Sequence, residues 1–106
     1  MVSRSRTTTE GEWLHNPTAG EILATEFMEP LGLDAAALAE VIAASRERIE
    51  AVVSGTSAVD AELDLRLGRY FGMSEGFFLR LQADYELLEA KRALNGELDR
   101  IIPRAA

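Results

Sequence analysis

Helix start and stop signals at short intervals constrain this chain most. Five segments carry apolar residues every three or four positions, and each follows a side chain suited to cap a helix N-terminus: Thr18, Asp34, Ser45, Asp60 and Ser74. Four of these segments end at residues that favour a helix C-terminus: Gly32, Gly55, Gly72 and Asn95-Gly96. No stretch alternates with the period of two that is typical of strands. The sequence therefore predicts an all-α fold of five short helices.

Three regions follow from this pattern. Residues 1–17 lack helical periodicity and predict a flexible N-terminal arm, whereas residues 18–94 predict one helical domain. Residues 95–106 predict a C-terminal helical tail, in which Leu98, Ile101 and Ile102 form a last turn before Pro103. The first residues do not resemble a signal peptide, and no apolar run is long enough to span a membrane. We therefore expect a cytoplasmic protein with no membrane partner.

The periodic apolar residues predict the core. They are Ile22, Leu23, Phe27, Met28, Leu31, Leu38, Val41, Ile42, Ile49, Val52, Val53, Leu63, Leu67, Tyr70, Phe71, Phe77, Phe78, Leu81, Tyr85 and Leu88. A chain of 106 residues buries only a modest core, and a second copy could cover an apolar face. Some of these residues are alternatively predicted to form a homodimer interface on the broad apolar side of the fifth helix. They are Phe77, Phe78, Leu81, Tyr85 and Leu88.

The link between the second and third segments is the most informative local feature. Only Ile42-Ala43-Ala44-Ser45 separates them, and such a short link makes two helices cross steeply. Ala39 is small enough to let the helices approach, and Ala43 is a small residue in the turn. This spacing predicts a helix-turn-helix.

The chain also resembles a known family, the HigA-type antitoxins of HigB/HigA toxin–antitoxin operons, within the Cro/C1-type (lambda-repressor-like, XRE) helix-turn-helix group. The resemblance runs from His15 to about Arg92 and rests on these stretches: 20–23, 26–33, Leu38-Ala39, Arg48-Ile49, Val53-Ser-Gly55, 65–72 and 74–85. It implies a homodimeric autorepressor that binds a palindromic operator in its own promoter. It also implies a second partner, a HigB-like, RelE-like toxin that cleaves mRNA. No cofactor is implied.

The resemblance also assigns the recognition helix, which starts at Ser45 and lies in the major groove. The DNA-binding residues implied are Ser45, Arg46, Glu47, Arg48, Glu50, Thr56 and Ser57. Chemistry supports part of this assignment, because an arginine can donate two hydrogen bonds to guanine O6 and N7. A helix N-terminus can in addition hold a phosphate.

Five positions depart from the family pattern. Relatives have glutamine at the position of Ala35, glycine at that of Ala43 and a small polar residue at that of Glu50; they carry Lys or Arg where this chain has Thr56 and Ser57. These differences remove phosphate contacts or add negative charge. We therefore expect DNA binding that is weak, strongly salt-sensitive or of altered preference. Arg4 and Arg6 on the arm could compensate.

Composition argues against several other functions. The chain has no cysteine and a single histidine, His15, which predicts neither a metal site nor an acid–base relay. The acidic residues along 60–64 and 84–89 predict solvated helix faces, so we expect no enzyme. The net charge of −7 disfavours general affinity for polyanions and suits a basic partner. Two alternatives stay open: a helix-turn-helix protein-interaction module that no longer reads DNA, and a free-standing transcriptional regulator without a toxin.

Overall fold

The computed structural model describes residues 15–105, and most of the predicted N-terminal arm, with Arg4, Arg6 and Trp13, lies outside that range. The prediction of an all-α, five-helix fold is confirmed, and no strand occurs among the described residues. The helices are α1, which begins as Ala19–Ile22, α2 (Ala35–Ile42), α3 (Arg46–Ser54), α4 (Ala61–Phe71) and α5 (Phe77–Leu94). A 3₁₀ turn, Glu97–Arg100, follows α5.

Helix α1 changes pitch along its length. After Ala19–Ile22 it widens into a π-helical stretch, Leu23–Met28, and then tightens into a 3₁₀ turn, Glu29–Leu31. The predicted capping box is present, since the Thr18 hydroxyl accepts from the Glu21 N–H while the Glu21 carboxylate accepts from the Thr18 N–H. Gly32 ends the helix in the left-handed conformation.

Helices α2 and α3 form the predicted crossed pair. Asp34 and Ser45 cap them, with side-chain oxygens 2.8 Å from the Ala37 nitrogen and 3.1 Å from the Arg48 nitrogen respectively. Between them Ala43 adopts a left-handed conformation with φ of 56°. That conformation normally favours glycine, so this turn holds a strained alanine.

Helix α1 packs directly against the backbone of α3. A Cβ atom added to Gly20 would lie 1.9 Å from the Val52 carbonyl oxygen, far inside any real contact. Gly20 is therefore required by the close approach of two helices, and α1 fixes the position of the helix-turn-helix pair.

The core gathers residues from all five helices. Twelve apolar residues are buried: Ala19, Leu23, Met28, Leu38, Ala39, Ile42, Ile49, Val52, Val59, Leu63, Leu67 and Phe78. The prediction that Val41 points inward is wrong, and Leu31 and Tyr70 are likewise exposed. Val41 lines an open concavity between α2 and α4, together with Leu65 and Tyr70, so its apolar character does not decide its burial.

The start of α5 differs from the prediction that Ser74 caps it. The helix begins after Gly76, and the buried carboxylate of Asp64 on α4 binds its N-terminus. Asp64 accepts from the N–H groups of Gly76 at 2.6 Å, Phe78 at 2.8 Å and Leu79 at 3.2 Å. The prediction of a solvated acidic face is therefore wrong at Asp64, because three orphan N–H groups take the place of water.

The second half of α5 and the residues after it pack less. Asn95 ends the helix as predicted, and several apolar side chains from here to the C-terminus are exposed: Leu87, Leu98, Ile101 and Ile102. The predicted C-terminal helical tail corresponds to the single 3₁₀ turn, with Ile101 and Ile102 beyond it. As a separate region it stays a prediction.

Candidate nucleic-acid interface

The outer face of α3 is the candidate interface, because the predicted residues converge there and on the loop that follows. Ser45, Arg46, Glu47, Glu50 and Thr56 are exposed, whereas Arg48 and Ser57 are half-buried. All seven lie within residues 45–57, so their proximity follows directly from the helix-turn-helix geometry. Whether they contact DNA stays a prediction.

Arg46 lies at the first position of α3 and points into solvent, with 62% of its side chain exposed. Its Nε donates to Oε2 of Glu50, one turn further on, at 2.8 Å. This hydrogen bond and the attraction of Glu50 raise the pKa of Arg46 above its ordinary value. The guanidinium is therefore held along one edge while its outer end faces away from the protein.

Arg48 has a different environment, although it lies only two residues away. Its Nη1 donates to the Ser57 hydroxyl, and its Nη2 lies 3.1 Å from Oδ2 of Asp60. Asp60 in turn caps α4, accepting from the Leu63 N–H at 2.9 Å. That N–H and, to a smaller extent, Arg48 lower the pKa of Asp60. Arg48 thus joins α3 to the start of α4.

The loop between α3 and α4 is held from a second side by α5. The Gln82 amide oxygen accepts from the Val59 N–H at 2.8 Å, and its Nε2 donates to the Val59 carbonyl at 3.1 Å. Nearer the helix, Thr56 and Ser57 both donate backbone N–H groups to the Ala51 carbonyl. Thr56 and Ser57 are therefore fixed in position beside α3.

The predicted dimer residues divide into two groups. Phe78 is wholly buried in the protomer's own core, so its prediction as an interface residue is wrong: no part of its side chain can reach a partner. Phe77, Leu81, Tyr85 and Leu88 are half-buried and keep some exposed surface. For these four the dimer interface stays a prediction.

Sequence reasoning missed three residues that shape the site. Asp64 anchors α5, Gln82 clamps the loop, and Arg66 donates from Nη1 to the Ile42 carbonyl at the end of α2 at 3.0 Å. Asp64 gives one usable signal, since a carboxylate follows Leu63 on a strongly apolar helix side. For Gln82 and Arg66 no local signal exists, because their partners lie more than twenty residues away.

Between residues 15 and 105, no group of three or more His, Cys, Asp or Glu side chains could hold a metal ion. Nor does any helix in that range combine the length and apolar character needed to cross a bilayer.

Known proteins share both the sequence and the fold. No family model matches the chain. Virulence-associated protein I of Dichelobacter nodosus is 40% identical over 73 residues, covering 69% of this chain and 68% of that protein. The uncharacterized helix-turn-helix transcriptional regulator YbaQ of Escherichia coli is 34% identical over 86 residues, 79% of this chain and 76% of that protein.

Solved structures extend the comparison to proteins bound to DNA. A Pseudomonas aeruginosa protein in complex with its operator DNA superposes with a TM-score of 0.78 at 32% identity, over 88% of this chain and 99% of that one. The antitoxin HigA of the same species, solved with the higBA promoter, gives a TM-score of 0.73 at 30% identity, over 87% and 100%. Together with the crossed α2–α3 pair, these similarities show that the chain belongs to the HigA-type antitoxins of the helix-turn-helix group.

Proposed function

We propose that this chain is an antitoxin that represses its own operon by laying α3 in the major groove of a palindromic operator. The observation that carries the proposal is Arg46, a solvent-facing arginine at the start of the second helix of a crossed pair. The solved relatives that hold promoter or operator DNA have the same fold. As a homodimer, the chain would present two such helices about 34 Å apart, one turn of DNA.

The test is operator affinity of an arginine variant. An arginine that pairs with guanine contributes roughly 1–3 kcal/mol to discrimination, so we expect Arg46→Ala to weaken binding to the promoter palindrome by about 10-fold or more. Arg69→Ala is the matched control, since it removes the same charge from an exposed position on α4. Equal affinities for the two variants and the wild type, measured by fluorescence anisotropy at fixed salt, would contradict the proposal.

The second half of the proposed function is neutralisation of a small basic, RelE-like toxin, which would act on mRNA in the cytoplasm. The support is the chain's net charge of −7, which complements a basic protein. Co-expression with an adjacent open reading frame for a small basic protein should rescue growth and yield a complex. If the adjacent gene is harmless alone or no complex purifies, the free-standing regulator replaces this part of the proposal.

A protein-interaction module without DNA binding remains the second candidate, and one observation favours it. Both arginines of α3 already have acidic partners, Glu50 for Arg46 and Asp60 for Arg48, so the helix carries little free positive charge. This candidate predicts that the toxin complex forms while no palindrome from the promoter binds, even at low salt.

A further inference from the structure

The exposed face of α3 carries an ion pair in the less stabilising of its two possible orders along the helix. Arg46 occupies the first helical position and Glu50 the fifth, so the cation lies toward the N-terminus and the anion toward the C-terminus. Helix stability favours the reverse order, because the N-terminus of a helix carries partial positive charge. The pair therefore stabilises the free helix less than the reverse order would.

The geometry of the pair leaves the two terminal nitrogens of Arg46 available to bind a base. Glu50 accepts only from Nε of Arg46, at 2.8 Å. Within residues 15–105, no other side chain bonds to the two terminal nitrogens of this guanidinium. Those two nitrogens form the fork that can donate to O6 and N7 of a single guanine.

The neighbouring arginine cannot do the same while its contacts persist. Both terminal nitrogens of Arg48 are occupied, Nη1 by the Ser57 hydroxyl and Nη2 by the Asp60 carboxylate. Its side chain is also only 30% exposed, about half the value for Arg46. Arg48 is therefore a positioning residue for the α3–α4 loop, and Arg46 is the arginine free to read a base.

We infer that Glu50 is a specificity-determining residue, which holds the Nε edge of Arg46 so that the terminal nitrogens meet a guanine in the major groove. This inference rests on the proposed DNA binding. A long, flexible arginine loses rotamer freedom when it binds, and a carboxylate that restricts it beforehand reduces that loss. The negative charge of Glu50 weakens binding to every sequence, whereas its contact with Arg46 strengthens binding to one base.

Two substitutions separate these effects. Glu50→Ala removes both the charge and the contact, and Glu47→Ala removes the same charge from an exposed neighbour on the same helix that has no bond to Arg46. Both variants should bind all DNA a few-fold more tightly, since each removes a negative charge near phosphate. Only Glu50→Ala should lose guanine preference, by about 5–10-fold at one position of each half-site. Glu50→Gln keeps an acceptor for Nε and should retain most of that preference.

The measurement is affinity for the promoter palindrome and for duplexes in which each base pair is replaced in turn. An unchanged preference profile in Glu50→Ala, with wild-type discrimination intact, overturns the inference and leaves the proposed function standing. Loss of preference at a base pair other than the one affected by Arg46→Ala also overturns it, because Glu50 would then read a base directly, for example through cytosine N4. If the wild-type chain binds none of the duplexes at low salt, the proposed function fails and the inference fails with it.

A measurement on the free protein tests the contact without DNA. In ¹⁵N spectra, the Arg46 Nε–H signal should exchange slowly with water in the wild type and in Glu47→Ala, and rapidly in Glu50→Ala. Equal exchange in all three proteins shows that Glu50 does not hold Arg46 in solution, and this overturns the inference whatever the DNA results.

Discussion

The helix-turn-helix region and the C-terminal half of α5 have similar shares of apolar residues but different structures. In the first, Leu38 and Ile49 are completely buried between crossing helices. In the second and just after it, Leu87 is 59% exposed and Ile102 is 86% exposed. Apolar side chains at helical spacing form a core only where another helix covers them, and α5 extends past its neighbours.

The largest predicted effect concerns the tightest contact of the packed region. Gly20→Ala places a methyl group 1.9 Å from the Val52 carbonyl oxygen, so α1 and α3 must separate. We expect a loss of about 3 kcal/mol or more in the free energy of unfolding, measured by urea denaturation.

Gly68→Ala is the control for that change. Its added Cβ would lie 3.2 Å from the Met73 carbonyl oxygen, a tight contact that a small shift relieves, and alanine also favours the helix. We expect a change within about 1 kcal/mol. Equal effects of the two substitutions would show that the close approach of α1 and α3 does not govern stability.

Next in size is the contact that joins α4 to the start of α5. Asp64→Ala leaves three N–H groups at the start of α5 without their acceptor, and we expect a loss of about 2–3 kcal/mol in the free energy of unfolding. Asp64→Asn keeps one acceptor oxygen and should lose about half as much. Thermal unfolding followed by circular dichroism measures both; a loss below about 0.5 kcal/mol for the alanine variant would contradict this role of Asp64.

A smaller effect of opposite sign is expected in the helix-turn-helix turn. Ala43→Gly removes the strain of a left-handed alanine, and we expect the free energy of unfolding to rise by about 0.5–1 kcal/mol. Ala36→Gly, at an exposed position inside α2, should lose a similar amount because glycine is a poor helix former. If both substitutions destabilise the protein, the turn is not strained in solution.

The smallest effect should come from the C-terminus. Removal of residues 97–106 deletes exposed apolar residues that no described helix covers, so the free energy of unfolding should change by less than about 0.5 kcal/mol at low protein concentration. A larger loss in the free energy of unfolding, at a value that does not depend on protein concentration, would show that the C-terminus contributes to the core like the helix-turn-helix region.

The same comparison explains what could be predicted from the sequence. Thr18, Asp34, Ser45 and Asp60 are predictable as caps because each accepts from an N–H group only three residues away. The prediction that Ser74 caps α5 is wrong because the side chain that accepts from the first N–H groups of α5, Asp64, lies on another helix.

The candidate site shows the same division. The exposure of Arg46 and its turn-to-turn contact with Glu50 follow from helix periodicity. The half-buried state of Arg48 does not, because it depends on where the next helix begins and on the Asp60 carboxylate there. The exposure of Val41 likewise depends on which helices surround α2, and helix periodicity alone does not predict that.

The left-handed alanine in the turn has a consequence for how this protein can change over time. Alanine and glycine codons differ at a single base, so the replacement that relaxes residue 43 lies one point mutation away. A lineage that acquires a destabilising substitution elsewhere, for example on the outer face of α3, could offset it with this replacement. The turn therefore leaves α3 room for substitutions on its exposed face without unfolding the domain.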